Sequence, residues 1–171
     1  MQQDSSRRSI ARLFTHLTWI IILGLFYLFF QDRLLEKNDP NHALQITHNS
    51  QPVVLQRNRQ GHYIAPGTIN GQPVRFLLDT GATDISIPGA LAEELGLTPG
   101  RVSYASTANG TIKVYDTRLN SVALGGLSRA DVAAHINPHM QGDTVLLGMS
   151  FLQHLELIQR GDTLTLNSGS R

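Results

Sequence analysis

From about residue 60 to the end of the chain, short apolar runs alternate with turn residues at intervals of about ten residues, a spacing typical of all-β domains. Asn70-Gly71, a strong turn signal, separates the runs 65–69 and 74–78 and favours a two-residue hairpin. Further strands are predicted at 85–87, 102–105, 111–124, 131–136, 144–147, 155–158 and 163–166, and short helices at 90–95 and 149–154. So many short strands in about 110 residues indicate a compact β-barrel or sandwich.

The composition excludes several classes of protein. Of the 171 residues, 41% are hydrophobic and 16% are charged, which argues against a disordered chain or a coiled coil. The 14 Lys and Arg residues nearly balance the 13 Asp and Glu residues, so a nucleic-acid-binding protein is not predicted. The absence of cysteine excludes a disulfide scaffold, a thiolate metal site and a cysteine nucleophile. His135 and His139 have the spacing of a helical zinc pair, but Pro138 between them disfavours the helix. We predict no metal and no cofactor.

Residues 13–30 form an apolar run with no formal charge. As a helix it would be roughly 27 Å long, so we predict a single transmembrane anchor. A cleaved signal peptide is the alternative, but its apolar region has about 7–15 residues and is followed by small residues. This run instead ends in Phe29-Phe30-Gln31-Asp32.

Three arginines, Arg7, Arg8 and Arg12, precede the run. By the positive-inside rule, they place residues 1–12 in the cytoplasm and the chain from residue 31 outside. In a bacterium this arrangement is an inner-membrane protein with its main domain in the periplasm. Residues 31–59 are polar and are predicted to be a periplasmic tether, with a candidate edge strand at 53–55. The domain proper is predicted over residues 60–171.

The strongest candidate for chemistry is Asp79. It follows the apolar triplet Phe76-Leu77-Leu78, which predicts a strand buried on both faces. A carboxylate emerging from such a strand is costly unless it is paired, hydrogen-bonded or functional. Thr80 and Gly81 form a tight turn after it, where backbone N–H groups and a hydroxyl can support the carboxylate. The Asp-Thr pairs at 116–117, 143–144 and 162–163 lack both the following Gly and the apolar triplet.

The segment 76–83 resembles the active-site loop of retropepsin-like aspartic proteases, whose motif is two hydrophobic residues followed by Asp-Thr-Gly-Ala. Two further segments follow in that family's order. Residues 106–110, Ser-Thr-Ala-Asn-Gly, are similar to the flap hairpin of the bacterial membrane-anchored branch. Residues 145–152 resemble the apolar-apolar-Gly segment and short helix that pack behind the catalytic loop. The resemblance spans about residues 60–168 and implies a small retropepsin-like β-barrel, an all-β fold with one or two short helices.

This resemblance also implies roles for individual residues. Asp79 is the catalytic residue it implies. Thr80, Gly81, Ala82 and Thr83 support the active-site loop, the flap is formed by Thr107, Ala108, Asn109 and Gly110, and the substrate subsite candidates are Asp84, Leu147 and Gly148. Many retroviral members have Asp and Arg where this chain has Thr83 and Met149, and those two side chains pair near the dimer interface. Their replacement leaves the strength of that interface open.

Hydrolysis of an amide by water requires one group that takes a proton from the water and another that protonates the carbonyl oxygen. Two carboxylates that share one proton supply both, because like charges so close together cannot both ionise. This chain has one suitable Asp and is too short for two lobes, so the pair requires a homodimer. We therefore predict a membrane-anchored aspartic endopeptidase that acts on protein or peptide substrates. The alternatives are a retropepsin-fold module that binds peptide or dimerises without cleaving, and an unrelated β domain; the intact Asp79-Thr80-Gly81 favours the enzyme.

Overall fold

The computed structural model of the protein describes residues 3–47, 51–107 and 110–169, and within the N-terminal helix the side chains of residues 15–30 and 37–38. The chain divides into two compact units, Met1–Asn38 and Asp39–Arg171. The first unit is one helix, α1 (Gln3–Asn38). It ends two residues before Pro40, because the residue that precedes a proline is pushed out of the helical conformation.

The helix α1 includes the predicted span 13–30 without a break. Its large apolar side chains between Leu17 and Phe30 are exposed within this unit. Among the residues whose side chains are described, no helix combines the length and the apolar character needed to cross a membrane. The transmembrane helix predicted for residues 13–30 is therefore not supported by the structure.

The second unit is built from ten strands and two short helices in the part of the chain that the structure describes. The strands are β1 (Val53–Gln56), β2 (Ile64–Ile69), β3 (Gln72–Leu78), β4 (Ile85–Pro88), β5 (Val102–Thr107), β6 (Gly110–Leu124), β7 (Leu127–Asn137), β8 (Thr144–Leu147), β9 (Leu155–Arg160) and β10 (Thr163–Ser168). The helices are α2 (Gly89–Glu94) and α3 (Met149–Leu152). The hairpin predicted at Asn70-Gly71 is confirmed: both residues have positive φ, 51° and 79°, as a type I′ turn requires.

Seven of these strands form one sheet in the order β2-β3-β8-β4-β7-β6-β5. The first strand also pairs with β6, through Thr68↔Ala123 and Ile69↔Val122, which closes six strands into a barrel and leaves β5 at the edge. The all-β barrel predicted from the sequence is thus confirmed. A separate three-stranded sheet has the order β1-β10-β9, so the candidate edge strand at 53–55 is present.

Strand β8 lies between β3 and β4, and this placement positions the loop that carries Asp79. It runs parallel to β3, with Leu78 opposite Leu147, and it also pairs with β4 through Ser86↔Leu146. The loop that connects β3 to β4, residues 79–84, therefore crosses the end of β8, where α3 begins. Both sheets contribute to one hydrophobic core, whose largest fully buried side chains include Phe76, Phe151, Leu55, Ile69, Ile85 and Leu166.

The structure describes part of the stretch predicted as a tether, residues 31–59. Helix α1 takes up its first part, and residues 39–47 lie against the barrel. Asn41 is only 7% exposed; its side-chain amide donates to the carbonyls of Gln56 (2.9 Å) and Ile64 (2.7 Å) and accepts from the Gln56 N–H (2.7 Å). Leu44 packs on the core. One polar side chain with three backbone partners ties this stretch to β1 and β2.

Candidate active site

Asp79 lies directly after β3 and is the first residue of the loop 79–84. Its backbone N–H donates to the Leu147 carbonyl (3.1 Å), which fixes the loop to the end of β8. Its Oδ1 accepts from the Gly81 N–H (2.9 Å), and its carbonyl accepts from the Ala82 N–H (3.3 Å). The residue is half-buried. The turn thus holds a carboxylate in one orientation while leaving part of it open to solvent.

The two residues after Asp79 leave the carboxylate accessible. A Cβ on Gly81 would lie 3.2 Å from Asp79 Oδ1, so any larger residue would crowd the carboxylate. Thr80 is exposed, and its hydroxyl forms no hydrogen bond with any residue that the structure describes. Thr83 is exposed as well, whereas Ala82 and Asp84 are half-buried.

The start of α3 fastens the other half of the loop. The N–H groups of Met149 and Ser150 donate to the carbonyls of Ala82 and Thr83, each at 2.8 Å. The Ser150 hydroxyl also accepts from the Ile85 N–H (3.2 Å). From the sequence, Ser150 is expected only to pack in the short helix. Its hydrogen bond to Ile85 could not be predicted, because the two residues are 65 positions apart in the chain. Two of these three bonds are backbone to backbone, so they do not depend on the side chain at position 149.

Leu147 and Gly148, predicted as subsite candidates, lie behind the loop. Leu147 has no exposed surface and belongs to the core; what it offers the site is the carbonyl that binds the Asp79 N–H. Gly148 is buried, and a Cβ there would lie 2.3 Å from the Asp84 carbonyl oxygen. Both residues therefore position the loop and present no side chain to a ligand. Asp84 remains the subsite candidate with open surface.

The predicted flap lies at the end of the β5–β6 hairpin. Thr107 pairs with Gly110, and the Thr107 hydroxyl donates to the Gly110 carbonyl (2.7 Å). Both residues are exposed. The other two predicted flap residues, Ala108 and Asn109, lie outside the described residues. Among the side chains that the structure describes, no group of three His, Cys, Asp or Glu residues is placed to hold a metal ion.

The chain is similar to known proteins in sequence and in fold. Residues 65–154 match the family described as "gag-polyprotein putative aspartyl protease". The crystal structure of a retropepsin-like aspartic protease from Rickettsia conorii superposes with a TM-score of 0.58 at 32% sequence identity, covering 68% of this chain and 90% of that one. The chain belongs to the retropepsin-like aspartic protease family. The matched residues 65–154 include Asp79 and the Thr-Gly-Ala that follows it.

Two curated relatives have similar sequences. A protein from the cobV 5′ region of a Sinorhizobium species is 36% identical over 143 residues, which are 80% of this chain and 61% of the relative. A protein of Rickettsia prowazekii (strain Madrid E) is 31% identical over 107 residues, which are 61% of this chain and 46% of the relative. Both are described as uncharacterised. The matched regions thus span about half to three-fifths of the relatives' lengths.

Gly110, one of the predicted flap residues, has a φ of 113°, a conformation that L side chains rarely adopt. If these residues form the flap of a peptidase, Gly110→Val should lower kcat for peptide hydrolysis about tenfold while the barrel stays folded, because the strain falls on an exposed hairpin end that would have to close over the substrate. Gly161→Val, in the β9–β10 turn with φ 58° and open space around it, is the matched control. Equal kcat values for the two folded variants would contradict a role of the flap in turnover.

Proposed function

We propose that this retropepsin-like protein is an aspartic endopeptidase that hydrolyses peptide bonds with a water molecule activated by two Asp79 side chains in a homodimer. The observation that carries the proposal is the Asp79 carboxylate itself. It is held by the Gly81 N–H at 2.9 Å, directly after the last residue of β3, and part of it is open to solvent. A carboxylate held in one orientation and reachable from solvent can exchange a proton with a bound water molecule, as general acid–base chemistry requires.

The chemistry needs the pair in one protonation state. The ionised carboxylate removes a proton from water as the water oxygen attacks the peptide carbonyl carbon. The protonated carboxyl gives its proton to the carbonyl oxygen, which forms a tetrahedral intermediate. As the C–N bond breaks, the first carboxyl passes the proton taken from water to the leaving nitrogen, and the second recovers a proton from a hydroxyl of the intermediate, so the pair again holds one proton. No metal or cofactor takes part in these steps. Rate against pH is expected to be bell-shaped, because the pair must hold one proton.

The homodimer is part of the proposal because one chain supplies one such Asp. A two-fold axis beside the loop would bring Asp79 next to its copy. The exposed Thr80 hydroxyl, which has no partner within the described part of the chain, is suitably free to bond to the facing loop. The backbone bonds from α3 hold each loop in place without the Asp–Arg ion pair common in retroviral members.

The test is digestion of a peptide library by the full chain in mild detergent, with Asp79→Asn and Asp162→Asn in parallel. Asp162 also precedes a Thr, but it is exposed and pairs with Arg57 far along the chain, so its replacement should cost little. Cleavage by the wild type and Asp162→Asn, and none by Asp79→Asn, is the expected result. Peptides that bind without being cut would support the non-cleaving module instead.

We also propose that the N-terminal unit anchors the peptidase in the inner membrane of a bacterium, with the catalytic unit in the periplasm. The support is the uncharged run 13–30, the arginines before it and the exposed apolar side chains from Leu17 to Phe30. The full chain should float with liposomes and resist alkaline extraction, and a chain beginning at residue 39 should do neither. Recovery of the full chain in the soluble fraction would contradict the anchor.

If the anchor and the dimer are both present, membrane attachment should raise activity at low protein concentration. Confinement to a surface increases the effective concentration of domains that dimerise weakly. We expect specific activity to fall on dilution for the full chain in detergent, and to stay nearly constant when liposomes of fixed protein density are diluted. Identical dilution curves would contradict a weak dimer supported by the membrane.

A further inference from the structure

The outer face of the barrel wall next to the catalytic loop carries a row of polar side chains. His135 on β7 is directly opposite Ser86 on β4 and Asp116 on β6. Side chains directly opposite one another in a sheet project from the same face. Their chain neighbours Ile85, Ile87, Ala134 and Ile136 are buried in the core, so Ser86, His135 and Asp116 project from the face away from it.

This face lies between the catalytic loop and the flap strands. Asp84 is the last loop residue before β4, five positions after Asp79. On the other side, the Ser103 hydroxyl of β5 donates to Asp116 Oδ1 (2.5 Å). Burial lowers the pKa of His135, while the carboxylates of Asp84 and Asp116 act against that lowering. Both carboxylates are therefore within electrostatic reach of the imidazole.

Several of these groups have hydrogen-bonding capacity that the described chain does not use. The His135 ring and the Asp84 carboxylate, both half-buried, form no hydrogen bond with any described residue. Ser86 is only 4% exposed, and the contact of its hydroxyl is the Met140 sulfur at 3.8 Å, a weak acceptor. The Asp84 carboxylate and the His135 ring are thus open to a ligand from solvent, and Ser86 has only a weak partner. Polar groups with spare hydrogen-bonding capacity on one face suit a polar ligand.

Resting on the proposed peptidase function, we propose that Asp84, Ser86 and His135 form a specificity subsite for a basic substrate side chain, lysine or arginine, close to the scissile bond. With the imidazole neutral, the facing groups are two carboxylates, a hydroxyl and an acceptor nitrogen. A cationic side chain with several N–H donors complements these acceptors, and charge-assisted hydrogen bonds are the strongest that the site can form. An apolar side chain would leave them unpaired, which is costly in a partly desolvated pocket.

The test compares kcat/KM of the full chain for peptides that differ only in Lys, Gln or Leu at each position near the cleaved bond. We expect Lys to be preferred at one position and the Lys-to-Gln ratio to fall about tenfold in Asp84→Asn, the size of a lost charge-assisted bond. Glu94→Gln, which makes the same change on an exposed part of α2, should keep the ratio. A ratio unchanged in Asp84→Asn, or a preference for Leu or Gln, overturns the subsite.

A second variant separates the role of His135 from simple folding effects. Protonation of the imidazole on acidification adds a positive charge beside Asp84 and Asp116, so the Lys-to-Gln ratio of the wild type should fall in the mildly acidic range. His135→Gln should remove that step and keep the preference. If the Lys-to-Gln ratio of His135→Gln falls on acidification as it does in the wild type, His135 is not the group whose protonation weakens the preference for Lys.

Measuring peptide binding without cleavage tests the subsite separately from the proposed peptidase activity. Fluorescence anisotropy with Asp79→Asn measures the affinity for the same peptides without catalysis. Tighter binding of the Lys peptide, lost in the double variant with Asp84→Asn, supports the subsite even if the wild type cuts nothing. Equal affinity for the Lys and Leu peptides overturns it even if the wild type is an active peptidase.

Discussion

Replacing Asp79 with Asn is expected to lower kcat/KM for the best peptide substrate by at least about a thousandfold, since it removes both the base and the acid of the proposed pair. Asn has nearly the same shape, and its side-chain oxygen can still accept from the Gly81 N–H. The loop should therefore keep its conformation, and the thermal midpoint of unfolding should change little.

Activity and the thermal midpoint of unfolding should be measured on the same preparation of the Asp79→Asn variant. Loss of activity with an unchanged thermal midpoint assigns Asp79 to the chemistry. Retention of more than about a tenth of the activity would contradict that assignment, because general acid–base groups contribute far more than tenfold.

The largest expected effect on stability comes from Gly148→Ala. A Cβ there would lie 2.3 Å from the Asp84 carbonyl oxygen and 2.8 Å from the Ala82 carbonyl oxygen, and both of these are backbone atoms that cannot turn away. The loop would have to separate from α3, which breaks the bonds from Met149 and Ser150 to the loop carbonyls. We expect a loss of about 3 kcal/mol or more in the free energy of unfolding.

Gly96→Ala provides the matched control for this substitution. Gly96 has a φ of 65° and open space around it, so alanine there costs only its conformational strain, about 1–2 kcal/mol. Chemical denaturation of both variants checks the prediction. A Gly148→Ala variant no less stable than Gly96→Ala would mean that the loop and α3 separate easily, which would contradict the close packing of the site.

The features that sequence analysis predicted well are those encoded within a few consecutive residues. The Asn70-Gly71 turn, the strand that ends at Leu78 and the Asp-Thr-Gly turn are all local patterns, and each is present in the structure. Apolar runs likewise gave most of the strands. The run 13–30 marked the apolar part of α1 but not its ends, because the flanking polar residues also continue the helix.

The features that it missed depend on contacts between distant parts of the chain. Asn41 has no distinctive sequence context, and its role depends on backbone groups of β1 and β2 that only the folded barrel brings together. His135 was considered only as a zinc ligand with His139. Its proximity to Ser86 and Asp116 follows from the registers of three strands, which the apolar pattern of the sequence does not specify.

In the proposed mechanism, two Asp79 side chains work as one catalytic unit. A dimer with one Asp79 and one Asn would keep a single carboxylate, which cannot act as base and acid in the same step. With equal amounts of the two chains and random assortment, only about a quarter of the dimers would keep both carboxylates. An inactive variant should therefore suppress the wild type beyond its own share.

The direct test is peptide hydrolysis by mixtures of wild-type and Asp79→Asn chains, co-expressed at known ratios and held at constant total concentration. The shared pair predicts that activity falls as the square of the wild-type fraction, to about a quarter at equal amounts. A linear fall, to about half at equal amounts, would show that each chain works alone and would contradict the two-chain catalytic unit even if Asp79 is essential.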